Sequence, residues 1–253
     1  MLGIAFSASS YIGPPLTELW ASCPPSFQDE CSVNQDDTYL SQSTMVTTGL
    51  GLSAALSFLS TFGGIEREVC RRNSRTGVQD NSAYFLGKAL SDMVHLILAP
   101  LLFTVIFAYL SAPTMPITSL YVVAFNIYFV CSAISYVTSI IASDSRSLVL
   151  ATGYVVLCIT IGAFFPAVRD VEARMGDVAA LLLPRLTYAH WAVQSYYLSA
   201  VEPYAPIYDT QLAISNYHMN ESEGDLAFIV PLLMGFVYRI IAVLIIVFTP
   251  PSV

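Results

Sequence analysis

The chain has 253 residues, of which 55% are hydrophobic and only 11% charged, with a net charge of −8 and a mean hydropathy of +0.65. A soluble domain carries roughly a quarter charged residues, so the composition excludes that class, and the lack of a basic, aromatic-interleaved patch argues against a nucleic-acid partner. What remains is an integral, multi-pass protein of the lipid bilayer, with its acids gathered in loops between long apolar runs.

Residues 1–43 open with MLGIAFSAS, too short to cross about 30 Å of hydrocarbon and lacking the basic start of a cleaved signal. It is expected to be the remnant of a first span. The rest of the segment holds Pro14, Pro15, Pro24 and Pro25 and five acids, Glu18, Asp29, Glu30, Asp36 and Asp37, but no Lys or Arg. A loop of this kind belongs outside, because basic residues mark the cytoplasmic side. Cys23 and Cys31 lie in it, where an oxidising lumen permits a disulfide; a bridge and two free thiols both stay open. Cys70, Cys131 and Cys158 read as small polarisable fillers.

The first complete span is expected over residues 44–64. Gly49, Gly51, Ser53, Ala54, Ala55 and Ser57 make part of it small-sided, which lets another helix approach closely, either within one bundle or across a dimer. The connector 65–82 follows, with Arg67, Arg71, Arg72 and Arg75, four of the ten basic residues. So much Arg in a short loop holds it in the cytosol and orients everything else.

Residues 83–111 form the next span. At 1.5 Å per residue its helix measures about 44 Å, so its first turns stand in the cytosol or headgroups, with a kink at Pro100. Lys88, Asp92 and His95 share one face at i, i+4 and i+7. They read either as a polar relay toward the connector or as a structural Lys88–Asp92 pair near the headgroups. His95 alone reads as a hydrogen-bonded core residue; no second ligand has metal-type spacing, so no metal site is expected.

Pro113 and Pro116 make an outer turn, residues 117–142 return to the cytosol, Asp144 and Arg146 sit in an inner turn, and residues 148–165 go out again to Pro166. The outer region 167–225 carries Arg169, Arg174 and Arg185 against the charge rule, beside Asp170, Glu172 and Asp177. Broken by Pro184 and loaded with Tyr188, His190, Trp191, Tyr196 and Tyr197, it reads as short interfacial or re-entrant helices. Asn220-Glu221-Ser222 is a glycosylation acceptor at Asn220 if this loop faces the lumen. The last span, 226–248, contains Arg239. A buried Arg costs several kcal/mol unless it snorkels or pairs, and its place in the cytoplasmic half leads us to expect snorkelling. The fold expected is an all-α polytopic bundle of five complete spans plus the remnant of a first.

Glu66-Arg67, then Gly77, then Ser82-Ala83-Tyr84-Phe85-Leu86-Gly87-Lys88, then Leu90-Ser91-Asp92 resemble the membrane domain of the G subfamily of ATP-binding cassette transporters, the white and pleiotropic-drug-resistance type. In that family a similar acid-basic pair opens the first intracellular loop and a Tyr-Phe-x-x-Lys run opens the third span. The helix pattern extends the resemblance over nearly the whole chain. It implies an ABC2-type membrane domain over 44–253, a homo- or heterodimer of half-transporters, a hydrophobic substrate, and a coupling helix within the connector that rests on a nucleotide-binding domain. By position, Glu66, Lys88 and Asp92 match members of the family's polar relay, and Arg67, Arg71 and Arg72 lie in the coupling segment. The chain departs from the pattern at Asn73 and Cys70, where the family has an acid and an aromatic residue. Ala54 stands where a multidrug member has a cavity-lining Phe, and the last outer loop lacks that member's Cys.

No nucleotide-binding domain is expected within these residues. Gly87-Lys88 is followed by Ala89 and has no Gly five residues earlier, whereas a phosphate loop needs a Gly-rich turn ending in Lys and Ser or Thr. ATP and Mg²⁺ are thus expected on a domain supplied in cis or in trans, and no cofactor in this chain. The reading favoured is the membrane part of an ATP-driven exporter in the plasma membrane or an endomembrane. The alternatives are a truncated or non-transporting scaffold, and an intramembrane enzyme using Asp92 and His95, which would still need a nucleophile within reach.

Overall fold

In hydrocarbon every backbone N–H and C=O has to be satisfied inside its own segment, and the helix does this for each long apolar run. The computed structural model describes residues 36–62, 81–111, 113, 115–142, 144–162, 183–204, 219 and 221–248, and among these every regular element is helical. The α-helices are α1 (Asp36–Ser57), α2 (Asn81–Ser111), α3 (Ile117–Ile141), α4 (Asp144–Gly162), α5 (Tyr188–Val201) and α6 (Gly224–Phe248). Single 3-10 turns cover Glu202–Tyr204 and Glu221–Glu223.

Three of the five expected spans are helices long and apolar enough to cross a membrane: Ala83–Ser111, Ile117–Ile141 and Gly224–Phe248. The apolar part of α4, Arg146–Gly162, is shorter. The span expected at 44–64 is shifted. Its helix begins at Asp36 and ends at Ser57, because Asp36 and Asp37 suit the positive end of a helix dipole and so belong to its first turn. The turn after it is tied by Thr61 N donating to Phe58 O at 3.2 Å.

The middle of the bundle is α3, which touches α1, α2, α4, α5 and α6. Two of its serine hydroxyls donate locally: Ser132 and Ser139 bond Phe129 O and Tyr136 O at 2.8 and 2.9 Å. Such back-bonding lets polar residues sit inside a span without an orphaned donor. Ser135 also reaches across to Ala55 O at 2.9 Å. Close approach depends on small residues, since lipid supplies no hydrophobic push. A Cβ on Gly51 would lie 2.7 Å from the Tyr188 hydroxyl and 3.3 Å from Cys131 Sγ, and one on Gly235 would collide with the Phe129 ring. Gly51, Ala54 and Ala55 are buried within this chain, so the small side of α1 serves packing inside the bundle.

At 14 residues α5 measures about 21 Å, too short to cross. Thr187 caps its start by accepting from His190 N at 3.4 Å, and α5 packs against α1, α3, α4 and α6. Cys131 and Cys158 are buried free thiols, in the filler role expected of them. The expectations for Cys23, Cys31, Cys70, Glu66, Arg67, Arg71, Arg72, Arg75 and Asn220 lie outside the described residues.

Candidate functional site

The antiparallel run of α2 and α3 pairs the polar face of α2 with two tyrosines. Asp92 Oδ2 accepts from Tyr136 Oη at 2.9 Å. One turn further along α2, His95 Nε2 lies 3.1 Å from Tyr128 Oη. Sequence spacing put Asp92 and His95 on one face, and both do meet the same neighbouring helix. The tyrosines that receive them could be recognised only once the two helices were set in register. His95 is hydrogen-bonded as expected but exposed, not a core residue.

Tyr136 is the hub. Its ring is 1% exposed and is enclosed by Phe62, Phe58 and Phe85, with centroids at 5.2, 5.9 and 6.0 Å. Phe62 and Phe85 also stack on each other at 5.0 Å. Phe62 is the last described residue before the Arg-rich connector, and Phe85 lies in the first turns after it. Both flanks of the connector therefore bear on one phenol, whose hydroxyl holds the Asp92 carboxylate.

From the other side comes Arg239 of α6. Its guanidinium carbon lies 3.8 Å above the centroid of Phe129 and 5.5 Å from that of Tyr136, and Nη2 donates to Ser132 Oγ at 3.0 Å. Phe129, Ser132 and Tyr136 are spaced by three and four residues, so α3 presents them as one stripe. This overturns the expectation that Arg239 snorkels. The close approach at Gly235, where Phe129 packs, gives the guanidinium an aromatic face, a hydroxyl and the neighbouring Asp92 charge, which also acts on it. A ring face and one hydroxyl inside the bundle thereby replace a reach for the headgroups, with Nη1 buried and without a hydrogen-bond partner among the described residues.

Further out, α6 is tied to α3 by Asn126 Nδ2 donating to Phe228 O at 2.8 Å and to α4 by the Tyr154–Tyr238 hydroxyl pair at 2.6 Å. Tyr196 donates to Gln42 at 3.0 Å, joining α5 to α1. Arg185 pairs with Glu223 at 3.1 Å and accepts from Trp191 Nε1 through its carbonyl at 2.7 Å. Beside that pair, burial first and the Arg185 charge second push the His190 imidazole down to about 4, with Glu223 opposing.

Asp92 and His95 are each engaged by a different tyrosine, which suits a mechanical link better than acid-base work on a substrate. No group of three or more metal-ligating side chains occurs among the described residues. A family model described as ABC-2 type transporter matches residues 31–250. The ABC-type transporter claG of Penicillium crustosum is 28% identical over 177 residues, which make up 68% of this chain and 22% of that protein. The chain thus spans less than a quarter of the length of this curated relative.

Proposed function

We propose a function from the premise that this chain belongs to the ABC-2 type transporter family: it is the membrane-spanning part of an ATP-driven exporter of the G type, moving lipid-like or other hydrophobic molecules. Five complete spans, with 1–43 as outer loop and remnant of a first, carry the path, and the connector 65–82 meets a nucleotide-binding domain supplied in cis or in trans. ATP and Mg²⁺ act on that domain, and two half-transporters assemble, as identical or different copies. Glu66, Arg67, Arg71 and Arg72 receive its movement. The outer loop carries a glycan on Asn220, and Cys23 and Cys31 share the same oxidising side.

One observation carries this reading. The aromatic clamp of Phe62 and Phe85 on Tyr136 joins both flanks of the connector to Asp92 and, across α3, to Arg239 on the last span. A push on the connector then has a packed route into α2, α3 and α6, because close-packed interiors transmit displacement. Lys88 and Asp92 belong to the same relay on α2.

The test uses the full-length protein in proteoliposomes with its nucleotide-binding domain. Substrate-stimulated ATPase activity is expected in the parent, and Tyr136→Leu, which keeps an apolar side chain but drops the hydroxyl, is expected to retain basal hydrolysis and lose the stimulation. Equal stimulation in both proteins would remove the clamp from the mechanism. No stimulation of the parent across a panel of hydrophobic compounds would favour a non-transporting scaffold.

A further inference from the structure

We infer that Ser57, Tyr128 and His95 form a polar subsite, open to a water-lined passage rather than to lipid, that receives the hydroxyl head of an uncharged hydrophobic cargo. The cargo part of this rests on the transport reading above; the water-lined passage does not. His95 is the fifteenth residue of α2, which places it about 21 Å along the helix axis from Asn81, at the depth of hydrocarbon. Yet His95, Ser57 and Ser91 are all exposed. Ser57 and one ring nitrogen of His95 are hydrogen-bonded inside the bundle, but an exposed imidazole facing lipid at that depth would give up water at its other ring nitrogen, so it faces a cavity. The outer face of α6 shows the contrast: its exposed positions include Leu233, Ile240 and Leu244, all hydrocarbon.

The geometry converges on one phenol. Tyr128 Oη lies 3.1 Å from His95 Nε2 and 3.4 Å from Ser57 Oγ, while Ser57 gives its own proton to Ser53 O at 2.7 Å. Tyr128 has one proton and two acceptors competing for it. When it donates to His95 Nε2, the other ring nitrogen carries hydrogen and is a donor. When it donates to Ser57, His95 donates to the phenol and its other nitrogen is an acceptor. The exposed imidazole therefore offers a donor or an acceptor on demand, which matches a hydroxyl group that can do both. Phe58 supports the imidazole at 5.3 Å between ring centroids, and Leu56 and Leu98 stand exposed on the two helices beside it. A few convergent polar groups in an apolar surround are how pockets for hydrophobic ligands orient them.

The experiment places single cysteines, Ser57→Cys, His95→Cys and Leu244→Cys, in the full-length protein in inside-out membrane vesicles and measures modification by a charged methanethiosulfonate. Ser57→Cys and His95→Cys are expected to react more than about tenfold faster than Leu244→Cys, because hydrocarbon excludes the charged reagent. A long-chain alcohol bearing a diazirine beside its hydroxyl is expected to slow both reactions, and its photolabelling of the parent is expected to fall several-fold in His95→Ala. Rates equal to that of Leu244→Cys would overturn the passage, whether lipid or a protein partner covers the face. Fast modification that the alcohol does not slow, with unchanged photolabelling in His95→Ala, would overturn the cargo subsite. None of these readouts needs ATP, so loss of stimulated hydrolysis with labelling intact counts against the transport reading alone.

Discussion

Helices α3 and α6 are each 25 residues long and each apolar enough to cross a membrane, yet 67% of the apolar window of α3 is buried inside the bundle against 17% for α6. The buried one is the more polar. Asn126, Ser132, Ser135 and Ser139 all lie inside on α3, whereas α6 buries only Ala227, Pro231, Gly235 and Ala242. In water the ranking would be reversed. In lipid, hydrocarbon outside is as good a solvent for Leu as the protein interior, so burial is decided by small residues that permit contact and polar ones that require it. The one basic residue on α6 obeys the same rule from the other side. Arg239 leaves the lipid face and lies on Phe129 and Ser132 of α3.

This contrast can be broken most severely at its hub. Tyr136→Ala empties the cage formed by Phe58, Phe62 and Phe85 and is expected to cost roughly 3–5 kcal/mol, the usual penalty for removing a buried aromatic ring, read as a large drop in the thermal unfolding midpoint in detergent. Ser132→Ala strands a donor of Arg239 and is expected to cost about 1.5–3 kcal/mol, as for hydrogen bonds to charged groups. A double-mutant cycle with Arg239→Leu should recover part of that loss; strict additivity of the two changes would show that the bond at 3.0 Å contributes nothing. Gly235→Ala drives a methyl into the Phe129 ring and is expected to destabilise by about 1–3 kcal/mol through overpacking.

On the lipid side the expectation is near silence. Leu244, 47% exposed, is expected to change stability by no more than about 0.5 kcal/mol when replaced by Ile; a loss as large as that of Gly235→Ala would mean that this face is covered in the working assembly. A milder probe concerns α5, the short helix packed against both α3 and α6. Its His190 is held down to about 4 from an ordinary 6.5. The unfolded chain takes up that proton as pH falls through 6.5 and the folded chain only near 4, so stability present above 6.5 is lost progressively between them. Unfolding midpoints measured over that range should fall with acid in the parent and stay flatter in His190→Gln.

Much of this was legible residue by residue. The shared face of Asp92 and His95, the short helix after Pro184 and three spans within a few residues of their ends all follow from local charge, spacing and apolar length. The first helix was misplaced because two acids at its start looked like loop. Arg239 was misread because its escape from lipid depended on which way Phe129 and Gly235 turn, and no pattern within α6 contains that information. Tyr128 and Tyr136 stand eight residues apart in an apolar run with nothing local to mark them as partners of a His and an Asp from the preceding helix.

Hydropathy is a sum over neighbours along the chain, so the sequence alone sufficed for the solvent and for most of the helices. Which apolar helix lies inside, and what shelters the one arginine on the last span, are matters of facing and register between segments as far as 107 residues apart. Lipid is indifferent between apolar faces, so only the packed bundle could settle them.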